Sequence, residues 1–155
     1  EDNEKKKASQ EKLANEKANK ELKKEIELQN KIKVQESKKE ILEKINNIGE
    51  INFFADEIDL DPRSIKELCF SLSDQIDNLF LVLLSVNNSK VFISCFISKK
   101  LVENKGISAS DIIKELSPLI NGSGGGQTFY ATGGGSKLKG ISSVISKSLE
   151  IVNQI

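Results

Sequence analysis

L-F-L-V-L-L-S-V (79–86), N-N-S-K (87–90) and V-F-I-S-C-F-I (91–97) read as two short, β-rich, almost wholly apolar strands joined by a polar turn. Strands without alternating polar positions belong to a sheet covered on both faces, so this hairpin predicts a layered α/β domain. Upstream, I-N-F-F-A-D-E-I (51–58) predicts another strand. Asp61-Pro62 then predicts a helix start, the carboxylate capping free amides and Pro sitting where it has no hydrogen bond to lose. Ile65, Leu68, Cys69, Leu72 and Ile76 mark the buried side of that helix. Downstream, Ser108 and Asp111 fit a capping box, with Ile112, Ile113, Leu116 and Ile120 facing inward and Pro118 bending the end. A glycine-rich segment with a possible strand follows. The last helix is expected to start near Ser136, with Ile141, Val144, Ile145, Leu149 and Val152 as its apolar stripe.

Residues 1–48 differ in kind. They contain no Gly or Pro before the Asn46-Asn47-Ile48-Gly49 break and are dominated by Lys, Glu, Leu, Ile and Ala, the composition of a long helix. Glu16/Lys20, Glu27/Lys31 and Glu40/Lys44 are spaced for favourable i,i+4 pairs. Two apolar stripes lie on different sides of the helix: Ala14, Ala18, Leu22 and Ile26, and Val34, Ile41, Ile45 and Ile48. The first is expected to meet another helix and the second to pack near the globular part. Leu22, Ile26, Ile32 and Ile41 are the predicted dimerisation residues, because they would otherwise leave apolar surface in water. The expected organisation is a coiled-coil-like neck over 1–48 and a globular domain over 49–155, a small mixed sheet flanked by helices.

Composition narrows the chemistry. With 155 residues the chain suits one small domain plus an extension, and without His it has no imidazole chemistry. Cys69 and Cys95 lie among apolar residues and form no CxxC pair, so they read as buried thiols of a reducing compartment. No segment has the apolar length of a membrane span and the first residues lack the apolar centre of a secretory signal, so a cytoplasmic protein is expected. The absence of Met throughout suggests a piece of a longer chain. Asp56, Glu57, Asp59 and Asp61 lack calcium-loop spacing, and no metal site is expected. Net charge is zero, but it is distributed as +2 over 1–45, −5 over 46–96 and +3 over 97–155, which favours an anionic partner for the C-terminal third.

Gly122, Gly124, Gly125, Gly126, Gly133, Gly134 and Gly135 enclose Phe129 and Tyr130, unlike a plain linker. Without Cβ atoms such backbone can approach a ligand and turn amides toward an anion, and a helix start after Gly135 would add its positive end. The spacing is not that of a P-loop or a dinucleotide fold. Lys99, Lys100, Lys105, Lys137 and Lys139 in the same third, with Tyr130 able to stack on a base, suit RNA better than a small nucleotide.

F-I-S-K-K-L-V-E-N-K-G-I-S-A-S-D-I-I-K-E-L (96–116) and N-G-S-G-G-G-Q-T-F-Y-A-T-G-G-G (121–135) resemble the C-terminal domain of the alanyl-tRNA synthetase family. There a strand ends in Ser-Lys, a helix carries Lys-Glu-Leu, and a glycine stretch ends in Ala-x-Gly-Gly. The element order and helical neck match too, so the resemblance covers nearly the whole chain. It implies a non-catalytic domain that binds the tRNA elbow, with a helical part for homodimerisation. Aminoacylation and editing, with ATP, Mg and possibly Zn, would belong to upstream domains, and no cofactor is expected here. The family positions carry over to Ser98, Lys99, Gly124, Gly125, Gly126, Gly134 and Gly135. One departure removes a cation: the commoner Arg-Pro-Asp-Met-Ala-Gln is replaced by 127–132, Q-T-F-Y-A-T. The substrate-binding domain of DHH phosphoesterases is also similar, but its glycine motif continues into a His where this chain has Gln127, and no Asp-His-His segment is present. A purely structural coiled-coil assembly module would explain 1–48 and leave the glycines unused.

Overall fold

In the computed structural model the backbone is described for residues 2–155 and side chains from Ala18 onward; the expectations for Ala14 and Glu16 lie outside the described side chains. The elements are α1 (Asp2–Lys44), β1 (Asn46–Ile48), β2 (Ile51–Glu57), α2 (Pro62–Ser73), β3 (Leu79–Asn87), β4 (Lys90–Ile97), α3 (Lys99–Lys105), α4 (Ala109–Leu116), a 3-10 turn (Ser117–Ile120), β5 (Ser123–Gly126), β6 (Tyr130–Gly135), a second 3-10 turn (Leu138–Gly140) and α5 (Ile141–Asn153). The expected α/β class and the mixed sheet with flanking helices are what is found. Two compact units divide the chain, residues 1–33 and Val34–Ile155.

In the larger unit one six-stranded sheet runs β1-β2-β3-β4-β6-β5. Its only parallel pair is β2 with β3, bridged by α2 as a parallel pair requires. The β3–β4 hairpin closes through Asn88 and Ser89, both at positive φ, which suits the twist of the paired strands. Alternation along these strands divides the core into two layers. Phe80, Val82, Leu84, Val91, Ile93, Cys95 and Ile97 pack with α4 and α5, while Leu79, Leu81, Leu83 and Phe96 pack with α2. Fully burying one such Leu or Ile contributes about 1.5–3 kcal/mol. Asp61 Oδ1 accepts from the Ser64 amide at 3.0 Å, the expected cap of α2.

The second stripe of α1 packs on the globular part as expected: Ile41 is 1% exposed and Val34 and Ile45 pack beside it in the second core layer. Other expectations change. Ile41 is therefore unavailable for dimerisation, because its surface is already buried within its own chain. Asn46–Ile48 is a strand paired with β2 around Gly49 (φ 61°), so the break expected at 48/49 falls inside a hairpin. The capping position Ser108 is right, but its side chain makes no cap hydrogen bond. The glycine segment forms two strands instead of one, α3 was not foreseen, and α5 starts at Ile141, capped by the buried Gly140. Leu149 is exposed, and Ile151 and Ile155 pack in its stead. Of the expected helix pairs, Glu40 and Lys44 meet at 2.8 Å. No described helix is long and apolar enough to cross a membrane.

Candidate nucleic-acid interface

β4 ends at a junction that sets the site. The Ser98 amide donates to the Leu79 carbonyl at 2.9 Å, and its Oγ accepts from the Leu79 amide at 2.8 Å. The hydroxyl thus has a structural use, clamping the start of β3 and setting Lys99 and Lys100 on the first turn of α3. The Ile97 amide donates to the Phe129 carbonyl at 2.9 Å, which brings the β5–β6 turn to the same corner.

The Phe70 ring, on α2, is the hub of an aromatic group there. Its centroid is 5.5 Å from Phe96, 6.3 Å from Phe129 and 6.1 Å from Tyr130. Phe70 is nevertheless 39% exposed. Lys99 Nζ lies 5.4 Å from the Phe129 centroid and Lys66 Nζ 5.7 Å from that of Tyr130, so cations and ring faces are presented together. Burial raises the Tyr130 hydroxyl above its ordinary value, an interaction with Ser94 opposing the shift, so it stays protonated and can donate near neutral pH. Two clefts flank the rings. One, about 390 Å³, is lined by Ser98, Lys99, Lys100 and Asp77 among others; the second, about 280 Å³, by Lys66, Gly125, Gly126, Gln127 and Thr132; Phe70 and Phe129 border both.

The predicted site residues therefore divide. Ser98, Lys99, Lys100, Gly125, Gly126, Gln127 and Tyr130 converge on this corner. Gly134 and Gly135 line a separate hollow with Lys90 and Ser136, at the opposite end of β4. Lys137 and Lys139 are exposed after β6, and Lys105 is exposed at the end of α3, lining none of these clefts. Lys66 and Phe70 were missed; the available signal was a large ring on α2 outside the buried stripe.

Most glycines have a different task from the expected one. A Cβ at Gly122 would sit 1.9 Å from the Gly134 carbonyl oxygen, at Gly124 2.3 Å from that of Thr132, and at Gly135 2.2 Å from that of Ile120. At Gly133 it would meet Ser117 Oγ at 2.6 Å and Ile113 at 3.1 Å, and at Gly126 the backbone of β6. Gly124, Gly133 and Gly135 let α4 and its 3-10 extension lie on the sheet backbone itself, and Gly122 and Gly126 let the two strands β5 and β6 lie close together. Only Gly125 and Gly134 of the seven have room, with nearest atoms at 3.7 Å. The run 133–135 ends in β6 and does not lead into a helix, so the expected helix-end charge is not beside it.

Elsewhere the acidic cluster is locally used: Asp56 Oδ1 accepts from the Glu57 amide at 2.7 Å and Asp61 caps α2. Cys69 and Cys95 are free and buried; burial pushes the Cys69 thiol up to about 12 and Cys95 higher still.

Residues 50–155 match the DHHA1 domain. The chain is 38% identical over 127 residues to the alanine–tRNA ligase of Christiangramia forsetii and 39% over 131 residues to that of Flavobacterium psychrophilum, covering 82% and 84% of this chain. It spans about 15% of the length of those relatives. The C-Ala domain of Aquifex aeolicus alanyl-tRNA synthetase shares its fold, with a TM-score of 0.64 at 21% identity over 71% of this chain and 98% of that one. With the family match extending over the whole of the sheet from β2 onward and through α5, the chain belongs to the DHHA1 domain family, in the form found at the C-terminus of alanyl-tRNA synthetases.

Proposed function

We propose that the chain is the non-catalytic C-terminal module of a cytoplasmic alanine–tRNA ligase and that it binds the elbow of tRNA through the Phe70–Phe129–Tyr130 corner. The observation that carries this reading is the meeting of three accessible rings with Lys66, Lys99 and Lys100 around one pair of clefts. Rings offer stacking to exposed bases and lysines offer charge to phosphates, whereas few side chains here are suited to reading base edges. Recognition is accordingly directed at shape, and discrimination among tRNAs by this chain is weak. Aminoacylation and editing, with their ATP and metal ions, belong to other parts of the parent protein. Gly125 is the glycine placed to admit a close-lying backbone, since nothing but Ser110 Oγ approaches it.

In residues 1–33, Leu22, Ile26 and Ile32 are 55, 53 and 50% exposed, and they support self-association of the neck. Light scattering of the chain at micromolar concentration gives a dimer mass on this reading; a monomer at every concentration removes the dimerisation role.

The elbow assignment is tested by binding intact tRNA against a tRNA whose D-loop and T-loop contacts are broken. Tighter binding to the intact molecule is expected, with Lys99→Ala lowering the salt slope by up to about one. Equal affinities withdraw the assignment.

A further inference from the structure

Asn121-Gly122 is the only Asn-Gly pair in the chain, and it joins the first 3-10 turn (Ser117–Ile120) to β5. Asn-Gly is the dipeptide most prone to cyclise on itself, because glycine brings no side chain to hinder the approach of its own nitrogen to the asparagine amide carbon. Asn121 is exposed, so water and hydroxide reach its side chain. The backbone around it is nevertheless held away from reaction. Asn121 stands in the left-handed region (φ 53°, ψ 45°), which asparagine tolerates, and this ψ turns the Gly122 nitrogen nearly opposite Cβ across the Cα–C bond. The Gly122 amide, which must lose its proton before it can attack, donates to the Ser117 carbonyl at 2.9 Å. Gly122 also lies pressed against β6, where a Cβ would run into the Gly134 carbonyl, so the peptide has no room to turn. On the other side the Lys137 amide pins the Ile120 carbonyl at 2.9 Å.

We propose that Asn121 is a deamidation site which the fold keeps shut and which unfolding opens, so that its modification removes opened molecules permanently. The step needs only water. Once the junction between the 3-10 turn and β5 opens, hydroxide takes the Gly122 amide proton and the nitrogen attacks Asn121 Cγ. The Cγ–Nδ2 bond breaks and ammonia leaves, its third hydrogen coming from water, to give a cyclic imide. Water then opens the ring on one of two sides. Cleavage of the new N–Cγ bond leaves an aspartate, and cleavage at the former main-chain carbonyl leaves an isoaspartate; nothing is oxidised or reduced. In the isoaspartate the main chain runs through Cβ and is longer by one bond, about 1.5 Å. That bond is inserted where the turn and β6 meet without slack, Gly122 against Gly134 and Gly135 against the Ile120 carbonyl. The altered chain cannot restore both contacts, and a reversible opening becomes a loss. This reasoning rests on the fold alone and stands whatever the chain binds.

The test follows the conversion of amide to acid by peptide mapping and mass spectrometry, in the native full chain and in a synthetic peptide of residues 117–126 in the same mildly alkaline buffer. The native chain should react at least about a hundredfold more slowly than the peptide, since reaction waits for opening. Across a urea series its rate should rise in proportion to the unfolded fraction, reaching within about threefold of the peptide when unfolding is complete. Chain aged in urea is then separated into its isoaspartyl and unreacted fractions, and each is diluted back to native conditions beside Asn121→Asp. The unreacted fraction and Asn121→Asp, which carries the new charge on an ordinary backbone, should recover the parent's thermal melt; the isoaspartyl fraction should not. A native rate within about tenfold of the peptide would show that the fold gives no protection, and would overturn the proposal. An isoaspartyl fraction that melts like the parent, or an Asn121→Asp variant that fails to refold as well, would remove the backbone explanation and overturn it too.

Discussion

Gly124→Ala and Gly125→Ala are neighbouring, chemically identical changes for which the structure gives opposite outcomes. At Gly124 the new methyl would lie 2.3 Å from the Thr132 carbonyl oxygen, 2.4 Å from Gly133 Cα and 2.8 Å from Ile113 Cγ2. Two of these three atoms are backbone of the paired strand and cannot rotate aside, so β5 must shift away from β6 or α4 must lift. Overpacking of this kind costs about 1–3 kcal/mol, and a backbone clash places it near the upper end. Loss of unfolded-chain freedom returns about 0.4–1 kcal/mol, leaving a net destabilisation of roughly 2 kcal/mol and a fall in Tm of about 6–12 °C. At Gly125 the nearest atom is Ser110 Oγ at 3.7 Å, so only the unfolded-state effect remains and stability should be unchanged or higher by up to about 1 kcal/mol. Urea unfolding of both variants measures the difference. A Gly124→Ala protein within about 0.5 kcal/mol of the parent, close to the ordinary range for surface changes, would refute the close-packing explanation of the glycines.

Two further outcomes concern the α2 side of the core. Asp61→Ala removes the acceptor for the Ser64 amide and should cost about 1 kcal/mol in the same urea assay, with Asp61→Asn recovering most of it. Burial raises the Cys69 thiol from 9.0 to about 12 and Cys95 higher still, so between those values both unfolded thiols lose their protons while the folded ones keep them; stability should fall as pH rises through that window, each thiol contributing at most about 1.4 kcal/mol per pH unit, and Cys69→Ala should reduce the fall by its own share and leave that of Cys95.

The sheet was legible because its signal is redundant. Almost wholly apolar 79–86 and 91–97 require cover on both faces, and the structure supplies α2 on one and α4 with α5 on the other. The neck was legible only in part. Ile41 and Leu22 look alike in a helical pattern, yet the first is 1% and the second 55% exposed, because what a stripe packs against depends on where the helix ends relative to β1. The aromatic corner was half visible: Tyr130 and Lys99 stand in a conspicuous segment, while Phe70 and Lys66 reach it from α2, about sixty residues earlier, through tertiary packing that no local pattern encodes.

The glycines show why local reading has a limit of principle. A glycine run states that something approaches the backbone too closely for a Cβ, but not whether it comes from the same chain or from a ligand. Here α4 with its 3-10 extension and the β5–β6 ladder account for Gly122, Gly124, Gly126, Gly133 and Gly135. Gly125 and Gly134 have no internal partner that demands them, and both lie on the α2 side of the sheet, one beside Tyr130 and the other beside Phe92. Absence of a steric reason at those two positions, on the face that also carries the accessible rings and lysines, separates them from the five glycines that the packing of the domain itself requires.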